Sequence, residues 1–133
     1  NYFKYKNPEA SKDIIFFENF INWSTPIILC EGVFDAIAIR RNTIPLLGKS
    51  VSTSLYSKII TSPVKDIYIA LDVDARDKAI KIGEEFLNQG KRVFLIELSD
   101  KDPSKMGFIP FTQHIQTAEE LDLSRLMMHK LNL

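Results

Sequence analysis

Acidic side chains follow three short apolar runs of this sequence, and together they could hold a divalent cation. These residues are Glu31 after Ile27–Cys30, Asp72 and Asp74 after residues 67–71, and Asp102 after residues 93–96. If the apolar runs are neighbouring parallel strands, their carboxyl ends meet at one edge and the carboxylates crowd together. Crowded carboxylates repel one another, which favours either a raised pKa or a bound cation. Oxygen ligands select Mg²⁺ or Mn²⁺, and such sites suit phosphoryl or nucleotidyl transfer.

Further charged residues near the same strand ends could complete such a site. Asp35 follows Glu31 by four residues, and like Asp102 it is a candidate supporting group or ligand of a second metal. The positive side chains that could neutralise phosphate charge are Lys49, Arg76, Lys78 and Lys101. For Lys78 and its neighbour Lys81, the competing interpretation is the solvated face of a helix.

Each of these residues also has an ordinary structural explanation. A single acid in a loop is usually solvated surface, and Asp-x-Asp alone is a weak signal. Asp72 or Asp74 could cap the helix that follows, because Asp is a favoured N-cap residue. Asp35 could be exposed or form a simple ion pair, while Gly32 and Gly48 could serve only to form turns. The order of the motifs along the chain, rather than any one residue, favours the metal site.

Apolar runs alternate with amphipathic patterns, which is typical of a parallel sheet covered by helices. The predicted strands are residues 27–30, 44–47, 67–71 and 93–96, and the helices between them are residues 34–41, 52–60 and 75–88. An amphipathic helix is also predicted after Ser11 or Asp13, and two more, over residues 106–118 and 123–131, are predicted without a strand between them. The expected fold class is α/β: a four-stranded, mostly parallel sheet sandwiched by helices, with extra helices at both ends.

The composition fits one globular domain. The chain has 133 residues, 45% of them hydrophobic and 26% charged, so it is long enough to bury a core. Its 17 basic and 17 acidic residues cancel, which argues against a broad basic surface for nucleic acid. A single cysteine, Cys30, excludes an internal disulfide, and we expect it to be buried in a reducing compartment. No apolar run reaches the length of a membrane span, and we expect a cytoplasmic location without membrane contact.

The order of the motifs resembles the Toprim domain, which is shared by bacterial-type primases, topoisomerases of types IA and II, OLD-family nucleases and recombination proteins. Its signature is an apolar strand ending in Glu-Gly, with an Asp soon after, and a second apolar strand ending in Asp-x-Asp. Here these are Leu29-Cys30-Glu31-Gly32 with Asp35, and Ala70-Leu71-Asp72-Val73-Asp74. The resemblance covers residues 27–107, which leaves an arm and helix over residues 1–26 and a helical extension over residues 108–133.

Within that superfamily the details are similar to primases of phages and related mobile elements. The matching stretches are residues 31–36, Leu47-Gly48-Lys49 at a Leu-Gly loop, residues 72–79, and Lys101-Asp102-Pro103 at an Asp-Pro motif. Two features depart from many primases. No glycine follows the Asp-x-Asp directly, and Ser104 stands where a second Asp is common, which weakens the metal contribution of the third motif.

The resemblance implies that Asp72 and Asp74 hold Mg²⁺ or Mn²⁺ and that Glu31 is a ligand or the base for the attacking hydroxyl. A 3′-hydroxyl would attack the α-phosphate of a ribonucleoside triphosphate, giving an RNA primer on single-stranded DNA. The resemblance also implies other primase parts: a zinc-binding domain, an amino-terminal subdomain and a replicative helicase. Because these do not fit in 133 residues and the chain begins with Asn1, we expect a fragment of a larger primase that is inactive alone.

Other functions share the same residues. A Toprim nuclease would use the same metals to activate water. A topoisomerase would need a catalytic tyrosine, and the four tyrosines stand outside any such motif. A non-catalytic module could bind nucleotide or DNA through metal without turnover. A phospho-receiver domain has the same layers but needs a lysine at the end of its last strand, which residues 93–96 do not offer.

Overall fold

The computed structural model of the chain describes residues 14–39, 41–48, 50–98, 115–116 and 118–131. The strands are β1 (Ile27–Cys30), β2 (Thr43–Pro45), β3 (Asp66–Asp72), β4 (Arg92–Leu98) and β5 (Glu119–Leu121). The helices are α1 (Val33–Ile39), α2 (Thr53–Thr61), α3 (Arg76–Leu87) and α4 (Leu123–Lys130). All five strands belong to one sheet, and helices cover both of its faces.

The strand order across the sheet is β2-β1-β3-β4-β5. Strands β1 to β4 run parallel, and β5 runs antiparallel beside β4. Cys30 of β1 is level with Pro45 of β2 and with Ala70 of β3, and Ala70 is level with Ile96 of β4. This register brings the carboxyl ends of four strands to one edge. The predicted α/β class with a mostly parallel sheet is confirmed, and in the described part of the chain the sheet has five strands instead of the predicted four.

The two faces of the sheet carry separate hydrophobic cores. The larger core joins α2 and α3 to the sheet through buried side chains such as Leu29, Ile69, Leu95, Ile59 and Phe86. The smaller core joins α1 to the other face through Ile28, Cys30, Ala70, Ile96, Ala36 and Ile39. Because successive strand residues face opposite sides, a strand covered on both faces must be apolar throughout. This is why β1 and most of β3 read as continuous apolar runs.

Local signals fix the ends and the packing of the helices over the larger core. Ser52 Oγ accepts a hydrogen bond from the backbone N–H of Leu55 at 3.2 Å, so Ser52 is the N-cap of α2. Gly90 follows α3 with φ 84°, a conformation that favours glycine. Gly83 allows α3 to approach the sheet closely, since a Cβ there would lie only 2.8 Å from Leu121 Cδ2.

The predicted amino-terminal helix is wrong for the residues that the structure describes. Residues 14–17 are not helical, and only a short 3₁₀ turn, Glu18–Phe20, follows them. Phe17 has a left-handed φ of 65°, which interrupts any continuous helix. The apolar side chains are also divided, because Ile15 and Ile21 pack on the larger core whereas Phe17 packs on the smaller one. One face of a straight helix could not contact both sides of the sheet.

The carboxyl-terminal segment corrects the prediction of two helices with no strand between them. Glu119–Leu121 is an edge strand in which Leu121 lies opposite Val93 of β4. Leu121 is fully buried, whereas Glu120 is exposed. A three-residue strand with two glutamates is too short to show a periodic pattern, so the sequence did not reveal it. The helix predicted over residues 123–131 is confirmed as α4, and the one predicted over residues 106–118 falls largely outside the described residues.

Among the described residues the helices are short, and α3 is the longest, with 12 residues. None of the helices in the described part of the chain has the length and apolar character needed to cross a membrane.

Candidate functional site

The strand order reverses between β1 and β3, and this reversal marks a candidate site at the carboxyl edge of the sheet. From β1 the chain passes through α1 to β2 on one side, whereas from β3 it passes through α3 to β4 on the other. α1 and α3 pack on opposite faces, so the loops leaving β1 and β3 diverge. In open α/β sheets, ligands bind in the crevice at such a point. Glu31 directly follows β1 and Asp72 ends β3, so two predicted site residues flank this position.

Glu31 forms an ion pair with a lysine from the first turn of α3. Lys78 Nζ lies 3.6 Å from Glu31 Oε2, and it donates a hydrogen bond to the backbone carbonyl of Gly48 at 2.6 Å. The Lys78 side chain is 22% exposed and the Glu31 side chain 44% exposed. Lys78 is therefore directed at the predicted site, and its interpretation as part of a solvated helix face does not describe the structure. Lys81, by contrast, is exposed on α3.

Asp35 is buried in the first turn of α1, with 9% of its surface exposed. Its Oδ2 accepts a hydrogen bond from the backbone N–H of Gly32 at 3.3 Å, which closes the turn after β1. Burial, and then the negative charges of Asp35 and Glu31, raise the pKa of the Cys30 thiol far above its ordinary value. Cys30 is a free, buried thiol, as predicted. Negative charge is thus concentrated where β1 ends.

Asp72 and Asp74 stand on either side of the transition from β3 to α3. Asp72 is the partly buried last residue of β3, and Asp74 is exposed in a single 3₁₀ turn, Val73–Ala75. Ala75 occupies the N-cap position of α3 without a side-chain hydrogen bond, so neither aspartate is the N-cap residue of that helix. Asp72 and Arg76 line a cavity of about 20 Å³, which is large enough for one water molecule.

Arg76 contacts the carboxyl-terminal segment. Its NH2 atom lies 3.7 Å from Glu119 Oε1 and 3.3 and 3.1 Å from the two ring nitrogens of His129. The same glutamate lies 3.4 Å from Arg125 NH1 and 3.7 Å from His129 Nε2. The side chain of Arg76 is 35% exposed, so it is held at the rim of the site by β5 and α4.

An ion pair at the opposite end of β3 is tighter than the Glu31–Lys78 pair and serves as a comparison for it. Asp66 accepts two hydrogen bonds from Arg92, from Nε and from NH2, each 2.8 Å long. The hydrogen bond and the charge of Asp66 raise the pKa of Arg92. This bidentate pair joins β3 to β4 at the amino edge, whereas the Glu31–Lys78 pair at the carboxyl edge is single and longer.

The donor chemistry of the site fits a hard cation, although no cluster is already assembled. Among the described residues, no three His, Cys, Asp or Glu side chains are close enough to hold a metal ion together. Glu31, Asp35, Asp72 and Asp74 offer only oxygen, the ligand type that Mg²⁺ and Mn²⁺ prefer. The Lys78 ammonium already places one positive charge beside Glu31. A Mg²⁺ or Mn²⁺ site at these residues stays a prediction.

The remaining predicted site residues are only partly covered by the structure. Lys49, Lys101 and Asp102 lie outside the described residues. Gly32 and Gly48 lie in the bends that follow β1 and β2. Neither has a positive φ, and it is Leu47, just before Gly48, that adopts a left-handed φ of 62°.

Sequence reasoning missed two residues of this edge, Glu119 and His129. Both contact Arg76, from 43 and 53 positions further along the chain. Both stand in the segment that was expected to be a helical extension, and neither was a predicted site residue. The only sequence signal for either was the presence of charged residues around a helix, which is common on any surface.

Comparison with known proteins relates the fold to a primase. No protein-family model and no curated protein matches the chain. The crystal structure of the Aquifex aeolicus primase, described as its zinc-binding and RNA polymerase domains, is similar with a TM-score of 0.59 and 24% sequence identity. The similarity covers 72% of this chain and 26% of that one, so the chain corresponds to about a quarter of the primase chain. This similarity establishes the fold.

Proposed function

We propose that the chain is the metal-binding catalytic module of a DNA primase of the Toprim type. The observation that carries this proposal is the reversal of strand order, which brings Glu31 and Asp72 to adjoining strand ends. A fold similar to part of a primase supports it, as do the Glu-Gly and Asp-x-Asp motifs at those two strand ends. The proposed reaction is Mg²⁺- or Mn²⁺-dependent nucleotidyl transfer that synthesises RNA primers on single-stranded DNA.

In this proposal each acidic residue has a distinct role. Asp72 and Asp74 hold the metal, and Glu31 is either a further ligand or the base that takes the proton of the attacking 3′-hydroxyl. The bound metal supplies charge neutralisation for the triphosphate and for the leaving pyrophosphate. Asp35 supports the site from the turn after β1, where it already orders the backbone of Gly32. Asp102 is proposed as an additional metal-site group.

Positive side chains would bind the phosphates. Lys78 and Arg76 belong to the first turn of α3, directly after the Asp-x-Asp motif, and both lie near the carboxyl edge. A lysine ammonium and an arginine guanidinium both form charge-assisted hydrogen bonds with phosphate oxygens. Lys49 and Lys101 are proposed as further phosphate ligands on the basis of the motifs that contain them.

The proposed partners follow from the neutral charge and from the extent of the fold. With 17 basic and 17 acidic residues, the chain lacks the positive excess that holds a DNA template by itself. We propose that a zinc-binding domain, an amino-terminal subdomain and a replicative helicase act with it. The substrates would be ribonucleoside triphosphates, and the template single-stranded DNA.

Titration of the 133-residue chain with Mn²⁺, followed by calorimetry, tests the metal assignment. We expect the double substitution Asp72→Asn with Asp74→Asn to abolish the binding, because it removes two anionic ligands. Asp77→Asn is the matched control, since Asp77 is an exposed aspartate in the first turn of α3, three residues after Asp74, and we expect it to leave the affinity within about twofold. Equal Mn²⁺ binding by the double variant and the wild type would reject the assignment.

A second measurement separates nucleotidyl transfer from hydrolysis. We expect a fluorescent ribonucleoside triphosphate to bind the chain only with Mn²⁺ present, and EDTA to release it. Cleavage of single-stranded DNA by the chain with Mn²⁺, without metal-dependent triphosphate binding, would favour a nuclease instead.

A further inference from the structure

The Lys78 ammonium occupies a position between two oxygen atoms that belong to neighbouring strand ends. One is Glu31 Oε2 at 3.6 Å, after β1, and the other is the carbonyl oxygen of Gly48 at 2.6 Å, in the bend that follows β2. A carboxylate and a backbone carbonyl are also the oxygen types that bind hard divalent cations. The protein's own cation therefore stands where two such oxygens converge.

The contact with Glu31 is loose enough to be exchanged. The distance of 3.6 Å exceeds that of a hydrogen-bonded ion pair, and the Glu31 side chain is 44% exposed. Exposed ion pairs contribute little stability, because water screens the charges and both side chains lose rotamer freedom. The bidentate Asp66–Arg92 pair, with two contacts of 2.8 Å, shows the geometry of a lasting connection in the same sheet.

We infer that Lys78 holds the place of a divalent cation at Glu31 and gives up that carboxylate when the metal binds, turning its ammonium to the triphosphate. This inference rests on the proposed function. Each charge has a partner of opposite sign before and after the exchange. Without metal, Glu31 pairs with the Lys78 ammonium; with metal, Glu31 binds the cation and the ammonium binds a phosphate. A lysine suits this role because its charge is carried on a flexible four-carbon stem.

The exchange also accounts for the separation of the acidic side chains. No three potential ligands among the described residues lie together, and Glu31 is turned towards Lys78. Without a counter-ion, Glu31 would add to the negative charge of Asp35 and Asp72 at the same edge. Lys78 thus relieves the repulsion before the metal is bound, and its withdrawal frees an anionic ligand.

The test uses three variants of the chain: Lys78→Gln, Lys78→Arg and Lys81→Gln. Mn²⁺ binding is measured by calorimetry, and binding of inorganic triphosphate is measured with Mn²⁺ saturating. For Lys78→Gln we expect Mn²⁺ to bind about three- to tenfold tighter, because a competing positive charge is removed, and triphosphate to bind weaker by a similar factor. Lys78→Arg keeps the charge and should remain near the wild type in both measurements. Lys81→Gln, an exposed lysine of the same helix, should change neither.

The opposite changes expected for Lys78→Gln, tighter Mn²⁺ binding and weaker triphosphate binding, distinguish exchange from a purely structural ion pair. If Lys78 only fastens α3 to the loop after β2, Lys78→Gln lowers the melting temperature and leaves Mn²⁺ affinity unchanged or weaker, which overturns the inference. That result leaves the proposed function intact if Asp72→Asn with Asp74→Asn still abolishes Mn²⁺ binding. If the wild-type chain binds no Mn²⁺, the proposed function fails and this inference fails with it.

Discussion

Lys78 and Arg76 belong to the same helical turn, yet Lys78 contacts residues that precede α3 in the sequence and Arg76 contacts residues that follow it. Two residues along an α-helix differ by about 200° in direction, so neighbouring cations of one motif face different sides. Lys78 contacts Glu31 and Gly48 beside β1 and β2, whereas Arg76 contacts Glu119 and His129 of the carboxyl-terminal segment. A motif read along the sequence therefore groups side chains whose surroundings are unrelated.

The strands beside Lys78 and Arg76 also differ in burial and in the number of strands with which they pair. All four residues of β1 are buried between the two cores, and β1 pairs with a parallel strand on each side. Within the described part of the chain, β5 has three residues, pairs with one strand, β4, and buries only Leu121. The Lys78 side is thus fixed by the centre of the sheet, whereas the Arg76 side depends on an edge strand.

The largest expected effect is on folding stability, and it comes from β5, the strand whose Glu119 contacts Arg76. Leu121→Ala removes a fully buried side chain that packs in the larger core, and we expect the free energy of unfolding to fall by about 2–5 kcal/mol. The matched control is Leu123→Ala, two residues further on, where the leucine is 72% exposed and the expected change is within about 0.5 kcal/mol. Urea denaturation measures both. Equal effects of the two substitutions would show that β5 does not anchor the segment.

On the Lys78 side, the buried thiol predicts a specific pH dependence. The pKa of Cys30 is raised in the folded chain, so above the unfolded value of about 8.5 only the unfolded state releases the proton. The unfolded state then binds fewer protons, and this contribution to stability falls as pH rises, by up to about 1.4 kcal/mol per pH unit. Below about pH 7.5 the thiol is almost fully protonated in both states and contributes almost no slope.

Denaturation of the wild type and of Cys30→Ala between pH 7 and 10 checks this slope. We expect the stability difference between them to be constant at the lower pH values and to change steadily above about pH 8.5. The difference of slopes matters, because the alanine also leaves a small cavity that shifts stability at every pH. A difference that stays constant up to pH 10 would contradict the raised pKa.

The smallest expected effect is on triphosphate binding, and measuring it compares Arg76 with Lys78. Glu119→Gln removes an anion that competes with phosphate for Arg76, and if Arg76 binds phosphate we expect Mn²⁺-dependent triphosphate affinity to rise by about two- to fivefold. Mn²⁺ affinity itself should not change, unlike the tightening expected for Lys78→Gln. Lys130→Gln is the control, since it breaks the 2.7 Å ion pair between Lys130 of α4 and Glu84 of α3, a pair that does not involve Arg76. Equal triphosphate affinities for the two variants would remove Arg76 from the proposed site.

Much of the fold could be predicted because its elements carry strong local signals. β1 and most of β3 are continuous apolar runs, Ser52 is a capping residue at the start of α2, and Gly90 follows the end of α3. The amino-terminal segment misled the prediction because apolar spacing does not reveal that Ile15 and Phe17 pack on opposite faces of the sheet. β5 was missed because it is defined by pairing with β4 rather than by its own three residues.

Only those residues of the candidate site that lie at strand ends could be placed from the sequence. Parallel pairing brings Glu31 and Asp72 to one edge, and the apolar runs before them were visible in the sequence. The side-chain partners were not visible, because Lys78 reaches Glu31 across 47 positions and Arg76 reaches His129 across 53. Such contacts depend on tertiary packing, which single-sequence patterns do not encode.

The sulfur atoms of the described residues lie in two very different surroundings. Met127 and Met128 of α4 each expose about half of their surface, 51% and 50%, whereas Cys30 is enclosed in the smaller core. Peroxide would therefore oxidise the helix methionines to sulfoxides well before it modified the thiol. The outer side of α4 would become more polar while the sheet edge kept its composition. Peptide mass spectrometry after brief oxidation would therefore report the solvent exposure of α4 through the sulfoxide content of Met127 and Met128, without an added label.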